Sequence, residues 1–316
     1  MAAADRGPVE GTATVGTFAD EAALTLAAGP TELVLLPEVG MLGASLRHHG
    51  GEHLDLHGGP GAARVGHTTG LPLLAPWANR LAGPSYRAAG RRVDLGDAPA
   101  LHRDGSGLPI HGTLVGRSGW ELRSVRTTGG AAVAVARFDA GAVAEVMASF
   151  PFPHQLTVGF TVVPGRVTVA TTLTPTGRRP VPVSFGWHPY LRLPGVAREE
   201  LQVGLPARRR LELDDRQLPT GGTVAEPAEV VALAGRHFDD GYRLGRHRVL
   251  SLLGGGQRLD VTMGRTYRFA QVYAPAGRDF VALEPMTAAT DALGRGEAAV
   301  VPAGGSFTAR FSITLP

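Results

Sequence analysis

Two short segments place an ionisable side chain directly before a proline. SFGWHPYLRLPG (184–195) carries His188, and DFVALEP (279–285) carries Glu284. Histidine takes and gives protons near neutral pH, and a carboxylate becomes an effective base once it is partly desolvated. A positioned acid and base are what proton traffic on a hydroxylated substrate requires. Taken alone, His188 equally fits a packed core histidine, a metal ligand or a proton carrier, so the rest of the chain must supply its partners. Three further segments do so. They are LPLLAPWANRLAG (71–83) with Trp77, Asn79 and Arg80, PIHGTLVGRSGW (109–120) with His111 and Trp120, and HFDDGYRL (237–244) with Asp239 and Asp240. All three tryptophans of the chain fall within this set. The flat apolar faces of tryptophan suit the C–H faces of a sugar ring, while Asn, Arg, His, Asp and Glu offer directional hydrogen bonds to hydroxyls. Polar groups beside aromatics point to a sugar cleft.

Other chemistries find less support. The run RHHGGEHLDLH (47–57) spaces His49, His53 and His57 four apart, as metal ligands on a helix would be. Glycines at 50, 51, 58 and 59 disfavour that helix and no HExxH is present, so a solvated loop or hairpin is expected and no metal. There is no P-loop, no dinucleotide fingerprint and no GxSxG elbow, and no cofactor is expected. Cysteine is absent, which excludes disulfides, thiolate ligands and a cysteine nucleophile within this sequence. The formal charge is only +3, and the longest basic run, Arg208 to Arg210, reads as a solvated face. Nucleic acid is therefore not an expected partner. The first residues lack a secretory pattern and no stretch is long and apolar enough to span a bilayer, so a cytoplasmic protein with no membrane association is expected. His102, His154 and Arg117 carry no assigned role and are expected at the surface.

Many short strands must position these groups. The 44 glycines and 24 prolines are spread along the chain, which fits tight turns between strands better than long helices. Segments 31–40, 155–165, 166–175, 268–277, 279–285 and 306–316 read as strands closed by Pro or Gly, with 155–175 a hairpin. Only 20–29, DEAALTLAAG, is entertained as a helix. Residues 1–16 are read as a flexible arm and 17–316 as one domain, an all-β, large antiparallel sandwich. Alternation along a strand puts Ala282 and Glu284 on one face and Val281 and Leu283 on the other; it also puts Gly186 and His188 opposite Phe185 and Trp187. The small residue two places before each catalytic candidate leaves room for a ligand. Trp187 is thus expected in the core, and Trp77 and Trp120 become the candidate cleft walls. Pro189 and Pro285 keep the residues before them extended.

In order and spacing, the Asn-Arg, His-Gly, His-Pro-Tyr and Glu-Pro pairs and the FDDGY segment resemble the aldose 1-epimerase, or galactose mutarotase-like, family over roughly residues 30–315. The resemblance implies a β-sandwich fold and the interconversion of the α and β anomers of a hexose by ring opening and reclosure. It makes Glu284 the base, His188 the acid at the ring oxygen and His111 a second donor there. It also makes Arg80, Asn79 and Asp239 hydroxyl-binding groups, Asp239 being preferred to Asp240 because Tyr242 follows it at the family's spacing. Trp187 stands where an asparagine often precedes the histidine, which places the chain nearer the broader bacterial aldose-epimerase-like branch. Partners are then a small-molecule sugar and, at most, a second copy, the chain being a monomer or homodimer. Two other readings stay open. A hexose-6-phosphate 1-epimerase would need an arginine cluster, for which Arg87, Arg91, Arg92 and Arg117 are available. A non-catalytic carbohydrate-binding or regulatory protein would have no need of the acid/base pair.

Overall fold

The structure, a computed structural model, describes residues 10–316. Alternation decides the elements. In the hairpin of His154–Val163 and Arg166–Pro175 every second side chain is buried, so one face of each strand is apolar and the pair registers without a slip. This hairpin lies inside a nine-stranded sheet whose strands pair antiparallel throughout. A second, eight-stranded sheet is built round Phe238–Leu244, Phe269–Ala274, Val281–Met286 and the two-residue strand Gly186–Trp187. A five-stranded sheet covers residues 11–52. With about 52% strand and 7% helix the all-β reading holds, and no helix among the described residues is long and apolar enough to cross a membrane.

The two large sheets meet through aromatic side chains. Trp187 reaches across to Phe160 and Phe311 with ring centroids 5.8 and 6.0 Å away. Its indole N–H donates to Thr171 Oγ1 at 3.0 Å, so burial leaves no orphaned donor. Phe185 packs edge-on to Tyr267 and Phe307 from the same face. Val281 and Leu283 point into this core. The opposite face of the eight-stranded sheet is therefore free to carry polar groups, roofed by the connections that contain residues 53–80 and 102–117.

Three expectations are corrected. Residues 20–29 are not helical: Glu21–Ala28 is a strand in which Leu24, Leu26 and Ala28, spaced by two, turn into the core. Pairing on both sides overrides the helix-favouring composition. The boundary at residue 17 falls inside a strand, since Gly11–Phe18 pairs residue for residue with Glu21–Ala28; a Cβ on Gly11 would lie 2.2 Å from the Ala131 carbonyl oxygen, so only glycine permits that approach. Residues 1–9 of the expected arm lie outside the described residues. The basic run is not simply a solvated face, for Arg208 is buried under Tyr242 and paired with Glu226 and Glu229.

Candidate active site

Strand Val281–Met286 pairs with Phe269–Ala274 so that Glu284 sits opposite Gln271 and Ala282 opposite Tyr273. The next strand sets Asp239 opposite Tyr273. Residues directly opposite share a face, so Glu284, Gln271, Tyr273 and Asp239 all project to the roofed side. On the other edge, Tyr190 pairs with Ala282, and the His188 N–H donates to the Pro72 carbonyl at 3.1 Å. His188 Nε2 thereby stands 3.2 Å from Glu284 Oε1. Both residues are almost wholly buried, at 4% and 1% exposure. His188 Nδ1 and Glu284 Oε2 make no hydrogen bond.

The roof brings the remaining groups. Asn79 and His111 both adopt left-handed backbone, at φ 58° and 62°, a conformation uncommon outside glycine and found most often for Asn, Asp and His. Each braces the other: the His111 N–H donates to the Asn79 carbonyl at 3.1 Å and the Asn79 N–H donates to His111 Nδ1 at 3.3 Å. Nδ1 is thus an acceptor, which leaves Nε2–H as the donor of a neutral His111. The His111 ring meets His188 edge-on at 5.6 Å. Arg80 donates to Asp104 at 2.6 Å and to Asn79 Oδ1 at 3.3 Å, with its remaining nitrogen 3.8 Å from Asp239. Gln271 Nε2 donates to Asp239 Oδ1 at 2.7 Å. Asn79, Arg80, His111, His188, Asp239, Gln271 and Glu284 line a cavity of about 190 Å³, together with Thr68, Ile110, Tyr190 and Tyr273.

Burial pushes Glu284 well above the usual carboxylate range; the Asp239 charge adds to this and Arg80 opposes it. Burial likewise pulls His188 down to about 3, with a smaller push from His57. His111 is held well below its ordinary value by burial first, then by His188 and Arg80. Desolvation penalises the charged form of each group, so the Glu284–His188 pair holds one proton over a wide pH range.

Of the sequence candidates, His188, Glu284, His111, Arg80, Asn79 and Asp239 converge on one cavity. Trp77 does not: it is fully buried against Tyr86 and lines no part of it. Trp120 is likewise buried, against Phe138. Both were expected as cleft walls because size and flatness alone do not reveal which side of a strand faces a core. Asp240 neighbours Arg210, Glu226 and Arg208 instead of the cavity. Gly186 makes no room for a ligand, since a Cβ there would meet Ala78 Cβ and the Pro285 carbonyl. Ala282 lies on the roofed face opposite Tyr273 but does not line the cavity. Arg87, Arg91 and Arg92 are exposed on a separate hairpin, and Arg117 lines a neighbouring cavity only. Among the described residues no three His, Asp or Glu side chains cluster as metal ligands; His53 is buried with Nδ1 3.3 Å from the Arg192 carbonyl, and His57 pairs with Asp55.

Sequence reasoning missed Gln271, Thr68, Tyr190 and Tyr273. Tyr190, two residues after His188 in the same motif, stacks on the His188 ring at 4.3 Å and 17° and shares a 2.6 Å hydrogen bond with Thr68. Its spacing was a usable signal; Gln271 becomes visible only once strand pairing is known.

No curated protein matches this chain. Solved structures match closely in fold. A galactose mutarotase-like protein from Clostridium acetobutylicum superposes with TM-score 0.84 at 18% identity, over 97% of this chain and 99% of that one. The galactose 1-epimerase from Lactobacillus acidophilus NCFM gives 0.76 at 13% identity, over 98% and 99%, and an aldose epimerase homologue from C. elegans gives 0.73 at 16%, over 96% and 99%. The family described as aldose 1-epimerase matches residues 43–314, and the chain belongs to that family.

Proposed function

We propose that this protein is a mutarotase that interconverts the α and β anomers of a hexose. The observation that carries the reading is a buried carboxylate and imidazole 3.2 Å apart whose proton affinities burial moves in opposite directions. Such a pair holds one proton and one vacant basic position, which is what a reaction with no net proton change requires.

The anomeric hydroxyl lies at Glu284 and the ring oxygen at His188, the two oxygens of one carbon taking the place of the pair's mutual contact. The pair's one proton, which burial favours on Glu284, passes to His188 first; as the ionised Glu284 then takes the hydroxyl proton, the freed electron pair forms the C1 carbonyl and the C1–O5 bond breaks. His188 gives its proton to O5. Rotation about C1–C2 presents the other carbonyl face, O5 returns, and the two protons travel back. His111 Nε2–H, a neutral donor, stabilises charge on O5 during both passages. Asp239 is held by Gln271 and neighbours Arg80, and so accepts from a sugar hydroxyl in a fixed direction. Each proton-transfer group contributes about 10²–10⁴-fold.

Polarimetry of freshly dissolved α-glucose and α-galactose, with a coupled assay for glucose 6-phosphate, tests the reading. Wild type accelerates equilibration of a free hexose, and Glu284→Gln and His188→Asn abolish the acceleration. If wild type accelerates none of the three, the substrate assignment is wrong. If both variants keep full rate, the mechanism is wrong.

A further inference from the structure

A second cavity of about 350 Å³ adjoins the catalytic one at His111 and Tyr190. Thr68, Ile110, His111 and Tyr190 line both spaces, whereas Glu284, Asp239 and Gln271 line only the first. The catalytic cavity, at about 190 Å³, lies below the ~300 Å³ at which sites for drug-sized ligands begin. It matches a single pyranose ring, and the adjoining chamber has space for another.

The chemistry of the chamber walls selects the occupant. His57 lies flat on Phe280 at 5.2 Å and edge-on to Tyr190 at 4.6 Å, giving one wall of aromatic surface. His102 meets His67 edge-on at 4.9 Å, and burial pulls His102 below its ordinary value, so it offers a neutral donor and acceptor. Asp104 is committed to Arg80. In the cavity that follows, Arg64 is locked onto Glu21 by two bonds of 2.7 and 2.5 Å, and Arg117 donates to the Thr113 carbonyl at 3.0 Å with Glu145 3.7 Å away. A phosphate calls for uncommitted cations; flat rings beside neutral donors and acceptors suit a second sugar.

Direction follows from the orientation proposed above, on which this inference rests. With O1 at Glu284 and O5 at His188, the next ring atom past O5 is C5, whose exocyclic C6 extends on the His188 and His111 side, toward the chamber. We infer that the chamber is a subsite for a second sugar ring and that the substrate class is a reducing hexose carrying a glycosyl group on O6.

Methyl glycosides cannot ring-open, so isothermal titration with them reads binding apart from turnover. The probes are methyl glucoside against methyl isomaltoside, and methyl galactoside against its 6-O-galactosyl homologue, with methyl maltoside and glucose 6-phosphate alongside. The 6-linked disaccharide should bind at least about tenfold tighter than its monosaccharide in one series. Ala62→Trp, on the chamber wall and away from the catalytic cavity, should remove that gain while shifting monosaccharide binding less than about twofold. His67→Trp, at an exposed wall position, serves the same purpose if Ala62→Trp melts early. Equal binding of mono- and disaccharide in both series, preference for the maltoside or the phosphate, or equal losses for both sugars in the variants each overturn the inference. Mutarotation of the free reducing sugars is followed in parallel. A 6-linked binding gain without any turnover removes the proposed reaction and leaves the subsite standing.

Discussion

His154 and His188 are both buried histidines with one ring nitrogen lacking a hydrogen-bond partner, and burial lowers the proton affinity of both. His154, expected at the surface, instead packs edge-on against Phe150, and its Nδ1 donates to the Phe152 carbonyl at 2.7 Å. His188 faces a carboxylate at 3.2 Å across a cavity that His111, Arg80 and Asp239 also reach. Burial and a shifted proton affinity are therefore common to a packed histidine and to the proposed catalytic one. What separates them is a second titratable group shifted the opposite way, in a space a ligand can enter.

The largest effect should distinguish these two histidines directly. His188→Asn should lower kcat/KM for mutarotation by about 10²–10⁴-fold, whereas His154→Asn should stay within about threefold and lose stability instead. Comparable rate losses in both variants would erase the distinction. The next test separates the faces of the sheet that carries the site. Trp187→Ala, on the core face, should cost about 3–5 kcal/mol in chemical denaturation with an unchanged KM in the molecules that remain folded. A rise in KM would place Trp187 at the cleft. Asp239→Asn should raise KM by about 10-fold or more, the scale of a charged hydrogen bond, while Asp240→Asn changes it less than about threefold. The reverse ranking would move the binding carboxylate to its neighbour.

The smallest expected effect lies in the pH dependence of stability. Glu284 has its folded-state proton affinity raised, so the native state binds the proton more tightly than the unfolded chain does. Its contribution is fully present below the unfolded value near 4.5 and is lost as pH rises through the folded value. Glu284→Gln should therefore gain melting temperature relative to wild type between pH 5 and pH 8 in scanning calorimetry. A constant difference would mean that Glu284 ionises in the fold as freely as it does unfolded.

Local periodicity made much of the architecture legible. Period-two burial in 154–175 is written in residues next to each other, so the hairpin follows from alternation alone. Strand 281–286 is buried along its whole length, and there only the alternating direction of side chains separates Val281 and Leu283, in the core, from Glu284 on the opposite face. The strand at 21–28 was missed because Ala and Leu favour a helix in isolation, and its neighbours on both sides supply the pairing that composition cannot show. Trp77 was misplaced for a related reason. Outside a long regular strand, alternation no longer says which way a side chain points, and the bridge from Trp77 to Ser184 that fixes its segment joins distant parts of the chain.

The sequence by itself determined that His188, Glu284, His111, Arg80, Asn79 and Asp239 stand in an order shared with the aldose 1-epimerases, and that the fold around them is built of strands. Only the tertiary structure decided that His188 and Glu284 meet, that Gln271 orients Asp239, and that a second chamber lies beside His111. The reason is physical. Residue type and alternation are local properties of the chain, whereas desolvation, charge coupling and cavity shape arise between segments far apart in sequence and exist only once those segments pack.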